Sequence, residues 1–305
     1  MNLSRRKWLA FLGGAAVGAG GTYSYLCNEP MTPAPLREGY VLCDLHTHPS
    51  SNTNIGDLIT LLASPGLVGL AQRPGSKAIF TYEMAVDLLT SDNVLKKDFK
   101  EITMGQLAKF REGYFARTEE FSAKVHHFLA IGWEGNYFPN YDDPFTAIKE
   151  VHTQGGLVVL NHPYSVESKG MFPFEIPSLQ QQEMINKLCL KVDLLEVHNA
   201  HNINLYLPGL DNMRKAEVLA EELAATRCHD PTRTTGPPGI SGSDTHRDLD
   251  QIKLCGIYVR EKYLAGMNQF KDALKLGRFE LYGTADEGPY VSRGSFVKGL
   301  FLLKD

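Results

Sequence analysis

Short apolar runs recur along the chain, and longer segments of mixed polar and apolar residues separate them. Tyr40-Val41-Leu42 and Leu157-Val158-Val159-Leu160 have the length and branched composition of buried strands. The pattern predicts strands near 40–46, 67–71, 127–133, 157–161, 193–198, 239–243, 254–259 and 279–283, with helices near 55–64, 143–154, 178–190, 211–226 and 266–276. Strands that alternate with helices favour right-handed crossovers and a parallel sheet. About seven such units predict an α/β fold with a closed barrel rather than an open sheet.

Residues 73–126 interrupt this alternation. Glu83–Leu89 and Thr103–Lys124 are predicted to be helical, and the second segment carries many charges. We therefore expect a helical insertion after the second strand that covers one side of the barrel mouth.

The first 27 residues have the pattern of a targeting segment. Ser4-Arg5-Arg6-Lys7 precedes a weakly apolar stretch rich in Gly and Ala, and the arginine pair resembles a twin-arginine export signal. Cys27 is a poor match to a lipoprotein cysteine, and the proline-containing residues 28–39 predict a linker. We expect an export signal or N-terminal anchor at 1–27, a linker at 28–39 and one domain at 40–305. The expected protein uses the twin-arginine export machinery, is periplasmic or on the cell surface, and meets a membrane only through its N-terminus.

Composition narrows the class of protein. The chain has 305 residues, 43% hydrophobic and 22% charged, which is typical of a globular protein with a sizeable core. The net charge of −4 gives no electrostatic basis for nucleic-acid binding. Five cysteines without a CxxC pair argue against a disulfide scaffold.

Five segments place a potential metal ligand where a predicted strand ends. They are Asp44–His48, Gly132–Glu134, Asn161–Pro163, Glu196–Asn199 and Gly242–His246. Active residues of (β/α) barrels lie at the carboxyl ends of the strands, so these segments should converge. Imidazoles and carboxylates from several strand ends are typical of a multinuclear hydrolytic metal centre. The sequence therefore predicts a metal-dependent hydrolase.

Spacing within these segments suggests individual roles. His46 and His48 are two residues apart and share a strand face, with Asp44 on that face to orient a ring. Asp244 and His246 repeat this spacing. The further ligands predicted are Glu134, His162 and His198, with Glu196 and His201 as alternatives to His198. The remaining histidines, His126, His127, His152 and His229, are predicted to be surface or packing residues.

These motifs, in this order over residues 41–284, resemble the PHP (polymerase and histidinol phosphatase) superfamily of metal-dependent phosphoesterases. The resemblance implies a distorted (β/α)7 TIM-like barrel with two divalent ions, or three, of Zn, Mn or Fe. It assigns one ion to His46, His48, Glu134 and Asp244, and a second ion to the bridging Glu134 with His162 and His198.

The chain departs from the family where a third ion would bind. Gln72-Arg73 stands where an Asp-His pair is expected, and His246 alone remains of that ligand set. Arg73 is predicted to hold a phosphate with its guanidinium in place of the third ion.

The expected reaction is hydrolysis of a small-molecule phosphoester by a metal-bridged hydroxide, with Asp244 as a metal ligand, Arg73 on the phosphate and His246 as the proton donor. Two other functions remain open. An amidohydrolase-type barrel would cleave C–N bonds or lactones, and it normally uses a bridging lysine where this chain has Glu134. A degenerate barrel would bind metal without turnover.

Overall fold

The computed structural model describes residues 34–164, 166–167, 174–175, 178–200, 218–224, 236–246 and 249–283. The predicted export signal and the candidate ligand His201 lie outside these ranges. Within them, no helix is both long and apolar enough to span a bilayer.

Thirteen strands and five helices are labelled here in chain order. The strands are β1 Tyr40–Thr47, β2 Gly66–Gln72, β3 Phe99–Thr103, β4 Leu107–Phe110, β5 Gly113–Ala123, β6 His126–Ile131, β7 Leu157–Asn161, β8 Val166–Glu167, β9 Phe174–Glu175, β10 Leu194–Asn199, β11 Gly239–Gly242, β12 Gly256–Arg260 and β13 Phe279–Tyr282. The helices are α1 Ile55–Ala63, α2 Tyr82–Ser91, α3 Pro144–Thr153, α4 Leu179–Cys189 and α5 Met267–Lys275, and residues 218–224 are also helical.

Nine strands form a nearly closed barrel. Their order is β11-β10-β7-β6-β5-β2-β1-β12-β13, and β4 adds to the side of β5 and carries β3. The two ends of the path approach each other, because the Ser241 hydroxyl on β11 lies 2.7 Å from the carbonyl oxygens of both Gly256 and Tyr282. Thr47 and Thr245 form a further parallel bridge. The mixed α/β barrel class is as predicted.

Strand direction differs from the prediction of a parallel barrel. β1, β2 and β5 are mutually parallel neighbours, as are β7, β10 and β11. β6 runs antiparallel to both β5 and β7. β12 runs antiparallel to β1, and β13 to β12. The amino end of β6 therefore lies at the same end of the barrel as the carboxyl ends of β5 and β7.

The predicted helix at Thr103–Lys124 is wrong. These residues form β4 and the long strand β5, which lies between β2 and β6 in the barrel. Of the expected helical insertion, α2 and a short 3₁₀ turn at Leu95–Asp98 are helical. Phe115 and Phe121 are buried on β5, and the strand's polar residues are largely buried too. Charged residues that are buried or half-buried, Glu120 on the inner face of β5 and Arg117 and Glu119 on its outer face, gave this segment the polar pattern of a solvated helix.

Apolar clusters hold the helices on the outside of the sheet. α3 and α4 pack on β6 and β7 through residues such as Val151 and Leu188. α1 and α2 pack on β2, β4 and β5 through residues such as Leu62 and Leu89. Side-chain caps begin α1, α2, α3 and α4 at Asn54, Thr81, Asp143 and Ser178. The helices therefore leave one end of the barrel to the polar residues described next.

Candidate metal centre

The first cluster consists of His46, His48 and Asp244, whose potential ligand atoms all lie within 4.8 Å of one another. The Asp244 Oδ1 atom is 3.4 Å from His46 Nε2 and 3.5 Å from His48 Nε2. All three residues are buried. The structure therefore brings together three of the predicted ligands from the two ends of the domain.

The second cluster consists of Glu120, His127 and His162, again with ligand atoms within 4.8 Å. Glu120 Oε1 lies 3.2 Å from His127 Nδ1 and 3.5 Å from His162 Nε2. The same carboxylate contacts the first cluster, with Oε1 at 3.4 Å from His46 Nε2 and Oε2 at 3.2 Å from His48 Nε2. Glu120 is thus shared by both clusters.

A shift in β1 aims its two histidines at this centre. Leu45 packs into the apolar cluster that β1 shares with β6, β7 and β12, so in a regular strand His46 would face the other side. The register of β1 against β2 shifts between Asp44 and Thr47. Such bulges re-aim side chains and are common beside functional sites. The shift explains how both Leu45 and His46 contact residues inside the barrel.

In His46 and His48 the two ring nitrogens face different partners. His46 Nδ1 lies 2.8 Å from Glu196 Oε1, and His48 Nδ1 lies 2.6 Å from the carbonyl oxygen of Ala71. With Nδ1 donating to these oxygens, Nε2 of each ring faces Glu120 and Asp244, and its lone pair becomes available to a cation when Nε2 is deprotonated. An imidazole held in this way can bind a metal ion through Nε2.

Charges at the centre are strongly coupled. Burial disfavours the charged His46 ring, but Asp244, Glu196 and Glu120 outweigh it and hold the pKa of His46 well above its usual value. Burial would raise the pKa of Glu120, yet His46 and the second-cluster histidines hold it well below. The clustered carboxylates therefore favour a positive charge among them, which a proton or a metal cation can supply.

Unsatisfied polar atoms also fit a bound cation. His48 Nε2, His127 Nδ1 and Asn161 Oδ1 are buried and form no hydrogen bond of suitable angle within the ranges described, although Glu120 oxygens lie 3.2 Å from both ring nitrogens. Buried polar atoms normally have partners. Imidazole nitrogens with carboxylate oxygens form the ligand set of Zn, Mn and Fe sites. The residues present thus fit divalent metal ions, held by His46, His48 and Asp244 and by His127 and His162, with Glu120 between them.

Glu134 does not join the centre, contrary to the prediction. Its side chain is exposed, and its backbone N–H donates to the Gln154 carbonyl at 2.8 Å. It follows the carboxyl end of β6, where Ile131 pairs with Leu157 at the start of β7. Because β6 is antiparallel, this is the end of the barrel opposite the histidine clusters. The bridging position predicted for Glu134 is occupied by Glu120.

Of the other predicted ligands, His198 lies outside both clusters and His246 lies beside the first. His198 is buried, but its ring packs beside Gly283, where an added Cβ would lie 2.7 Å from Cδ2, and it belongs to neither cluster. The register of β10 shifts between Glu196 and His198, which places Glu196 rather than His198 at His46. The His246 ring centroid is 4.7 Å from that of His48, and its Nδ1 lies 2.8 Å from the Asp244 carbonyl oxygen.

Asp44 and Arg73 have contacts that differ from those predicted. Asp44 does not orient a histidine ring but accepts hydrogen bonds from the backbone N–H of Ser243 and Lys253 at 3.0 and 2.9 Å. It thereby fixes the chain just before Asp244. Arg73 is about one-third exposed, with 34% of its side-chain surface accessible, and its guanidinium pairs with Glu120 Oε2.

Two central residues, Glu120 and His127, were missed from the sequence. Glu120 was missed because it lies in the segment that was predicted to be a helix. His127 was missed because it lies at the start of β6, whereas ligands were expected at the carboxyl ends of strands. The only local signal was the alternation of polar and apolar residues in Glu120-Phe121-Ser122 and in His127-Phe128, which is typical of strands, since Lys124-Val125 between them carries no turn motif.

The sequence matches no protein-family model and no curated protein. Among solved structures, a two-domain protein from Bacteroides vulgatus that contains a predicted PHP-like metal-dependent phosphoesterase is similar in fold, with 15% identity and a TM-score of 0.47 over 82% of this chain and 68% of that chain. A lesion-specific endonuclease from Pyrococcus furiosus is similar with 13% identity and a TM-score of 0.45, over 79% of this chain and 57% of that chain.

An endonuclease Q complex with a 27-mer duplex that carries an abasic lesion has 15% identity and a TM-score of 0.42, over 79% of this chain and 58% of that chain. The chain thus spans less than two thirds of either endonuclease. These similarities concern the fold alone. Fold and site together define a mixed α/β barrel protein with a candidate metal centre of two clusters.

Proposed function

We propose that this protein is a metal-dependent hydrolase that cleaves phosphoester bonds. The observation that carries the proposal is the sharing of Glu120 between two clusters of potential ligands at one end of the barrel. A carboxylate in this position can hold two divalent ions close together. Two neighbouring metal ions lower the pKa of a bound water toward neutrality and neutralise the charge of a phosphoryl oxygen.

The residues around the clusters supply the remaining functions. Arg73 places a permanent positive charge beside Glu120 at the partly exposed side of the site, where it can bind an anionic substrate group. His246 lies beside His48 and exposes 36% of its side chain, so it can reach a leaving group and donate a proton. The Arg73 charge favours an anionic phosphoester over an uncharged amide or lactone.

The shared residue also bears on the amidohydrolase alternative. A glutamate rather than a lysine contacts both clusters, and the adjacent cation Arg73 suits an anionic substrate. A small-molecule phosphoester remains the proposed substrate, with two divalent ions of Zn, Mn or Fe as cofactors.

The proposal is tested by elemental analysis of protein purified without chelators, followed by turnover assays on phosphomonoesters, phosphodiesters, amides and lactones. We expect about two ions per chain and activity on phosphoesters that a chelator removes and added metal restores. Activity on amides or lactones alone would overturn the phosphoester assignment. Stoichiometric metal without turnover on any ester would instead support a binding protein.

Export by the twin-arginine route is a separate proposal that rests on Arg5 and Arg6. Replacing both with lysine in the full chain should leave the protein in the cytoplasm, as measured by cell fractionation. Unchanged distribution would reject this route.

A further inference from the structure

Two side chains outside both ligand clusters connect one cluster to the other. Glu196 is buried on β10, and both of its carboxylate oxygens are engaged. Its Oε1 lies 2.8 Å from His46 Nδ1, and its Oε2 accepts the backbone N–H of His162 at 2.8 Å. Glu196 therefore contacts the first cluster through a ring and the second cluster through the main chain.

Asn199 extends this connection from Glu196 to Asp244. Its Nδ2 donates to Glu196 Oε2 at 3.2 Å and to Asp244 Oδ2 at 3.2 Å. Both residues of the pair lie on the same strand, and between them they touch His46, Asp244 and His162. Such hydrogen bonds to ligating groups orient the ligands and tune metal affinity.

The ligands that this pair holds have unfavourable backbone conformations. His162 has φ of 25° and Asp244 has φ of 49°, in a region that residues other than glycine rarely adopt. Strained conformations of this kind persist only where the surroundings determine them. For His162 the Glu196 carboxylate holds the strained peptide directly. For Asp244 the Asn199 amide holds the side chain, and the Asp244 N–H donates to the His46 carbonyl at 2.8 Å.

We propose that Glu196 and Asn199 are positioning residues that couple the two clusters, so that filling one cluster with a divalent ion raises the affinity of the other. An ion held by His46 and Asp244 would fix Glu196 and Asn199 in their observed places. Glu196 then holds the His162 peptide in the geometry that the second cluster needs, so the second ion meets an ordered site. This inference rests on the metal centre of the proposed function.

The test is calorimetric titration of metal-free full-length protein with Co²⁺, with the bound metal counted independently by elemental analysis. The wild type should bind two ions in a cooperative transition. Glu196→Gln and Asn199→Ala keep all six cluster residues, so they should still bind ions, but in separate steps, with the second affinity reduced by about 5-fold to 150-fold. The matched control is Asp193→Asn, which alters a buried carboxylate just before the same strand and should retain cooperative binding.

Each outcome has a distinct meaning. Independent binding of two ions by the wild type, or unchanged cooperativity in both variants, would overturn the coupling. Absence of metal binding by the wild type would overturn the proposed function itself. Should Glu196→Gln not fold, as judged by circular dichroism, Asn199→Ala decides the matter, because its side chain contacts the network without bonding to a strained peptide. A purely structural role would lower stability in the variants and leave the cooperativity intact.

Discussion

At the scale of single residues, Glu120 rather than Glu134 lies between the two histidine clusters, where the sequence led us to expect Glu134. Both are glutamates near the end of an apolar strand, and they differ in the end of the barrel at which they lie. Glu120 is buried among four histidine rings, whereas Glu134 is exposed. Local sequence does not distinguish them, because strand direction depends on pairing with distant segments.

Glu120→Gln and Glu134→Gln form a matched pair of substitutions. Loss of the shared charge should weaken metal binding by at least about 100-fold and abolish turnover, since removing even an outer hydrogen-bonding partner typically costs about 10-fold to 100-fold. Glu134→Gln should bind metal and turn over substrate like the wild type. Metal content after dialysis and single-ester kinetics measure both effects. Equal loss in the two variants would contradict the placement of the centre.

Arg73 is the residue that we expect to bind the anionic group of the substrate. Arg73→Ala removes a charged hydrogen-bond donor, which is worth roughly 1.5–3 kcal/mol, so KM for a phosphoester should rise about 10-fold or more. Metal content should not fall, because the substitution removes a cation that competes for Glu120. The control is Arg37→Ala, an arginine paired with Glu280 before the start of β1. A KM unaffected by Arg73→Ala would show that the residue serves only to pair with Glu120.

At the scale of elements, the sequence predicted most strands and helices but not the directions of all strands. The boundaries of β1, β7, β10 and α3 agree with prediction to within a residue or two, because apolar runs and caps are local signals. β5 was not predicted because its charged residues, Arg117, Glu119 and Glu120, are buried or half-buried on its two faces rather than exposed. The antiparallel direction of β6 was not predicted because the turn at 124–125 is short and carries no Asn-Gly or Asp-Gly signal.

One ion pair ties α3, β7 and β10 together at the end of the barrel opposite the candidate centre. Asp193 Oδ2 lies 2.8 Å from His152 Nε2 and accepts the Val158 N–H at 2.9 Å. Burial would raise the pKa of Asp193, but His152, the Val158 N–H and Lys275 outweigh it and lower that pKa. A lowered folded-state pKa contributes stability above the usual Asp value, and this contribution is lost as the pH falls through the folded-state pKa.

Asp193→Asn should therefore reduce the free energy of unfolding by about 1–2 kcal/mol near neutral pH, a range that allows for the partly exposed His152. The difference from the wild type should shrink toward about pH 3, below the usual Asp pKa of about 3.9. Urea denaturation at both pH values measures it. A difference that grows in acid would contradict the assigned direction.

At the scale of the whole molecule, ligand residues from β1, β5, β6 and the segments after β7 and β11 meet at one place. A divalent ion bound there would join remote parts of the barrel and would bind the native state far more tightly than the unfolded chain. At an ion concentration of about 100 times Kd, the stabilisation is about 2.7 kcal/mol. For a domain of this size each bound ion should therefore raise the Tm by about 5–10 °C above that of chelator-treated protein.

Differential scanning calorimetry with and without chelator checks this prediction. Glu120→Gln should show a much smaller shift on adding metal, because both clusters lose their shared ligand. A Tm unaffected by metal in the wild type would argue against ion binding to the native barrel.

The short turn between β5 and β6 gives the molecule a particular order of assembly. Glu120 and His127 lie on one hairpin, paired from Thr118 with Ile131 to Ala123 with His126, whereas His46 and Asp244 come from opposite ends of the domain. Contacts close in sequence form sooner than remote ones because less chain entropy is lost. We expect two of the three residues of the second cluster, Glu120 and His127, to be brought together early in folding, so that a metal ion already present can bind the nascent hairpin weakly before the later strands arrive.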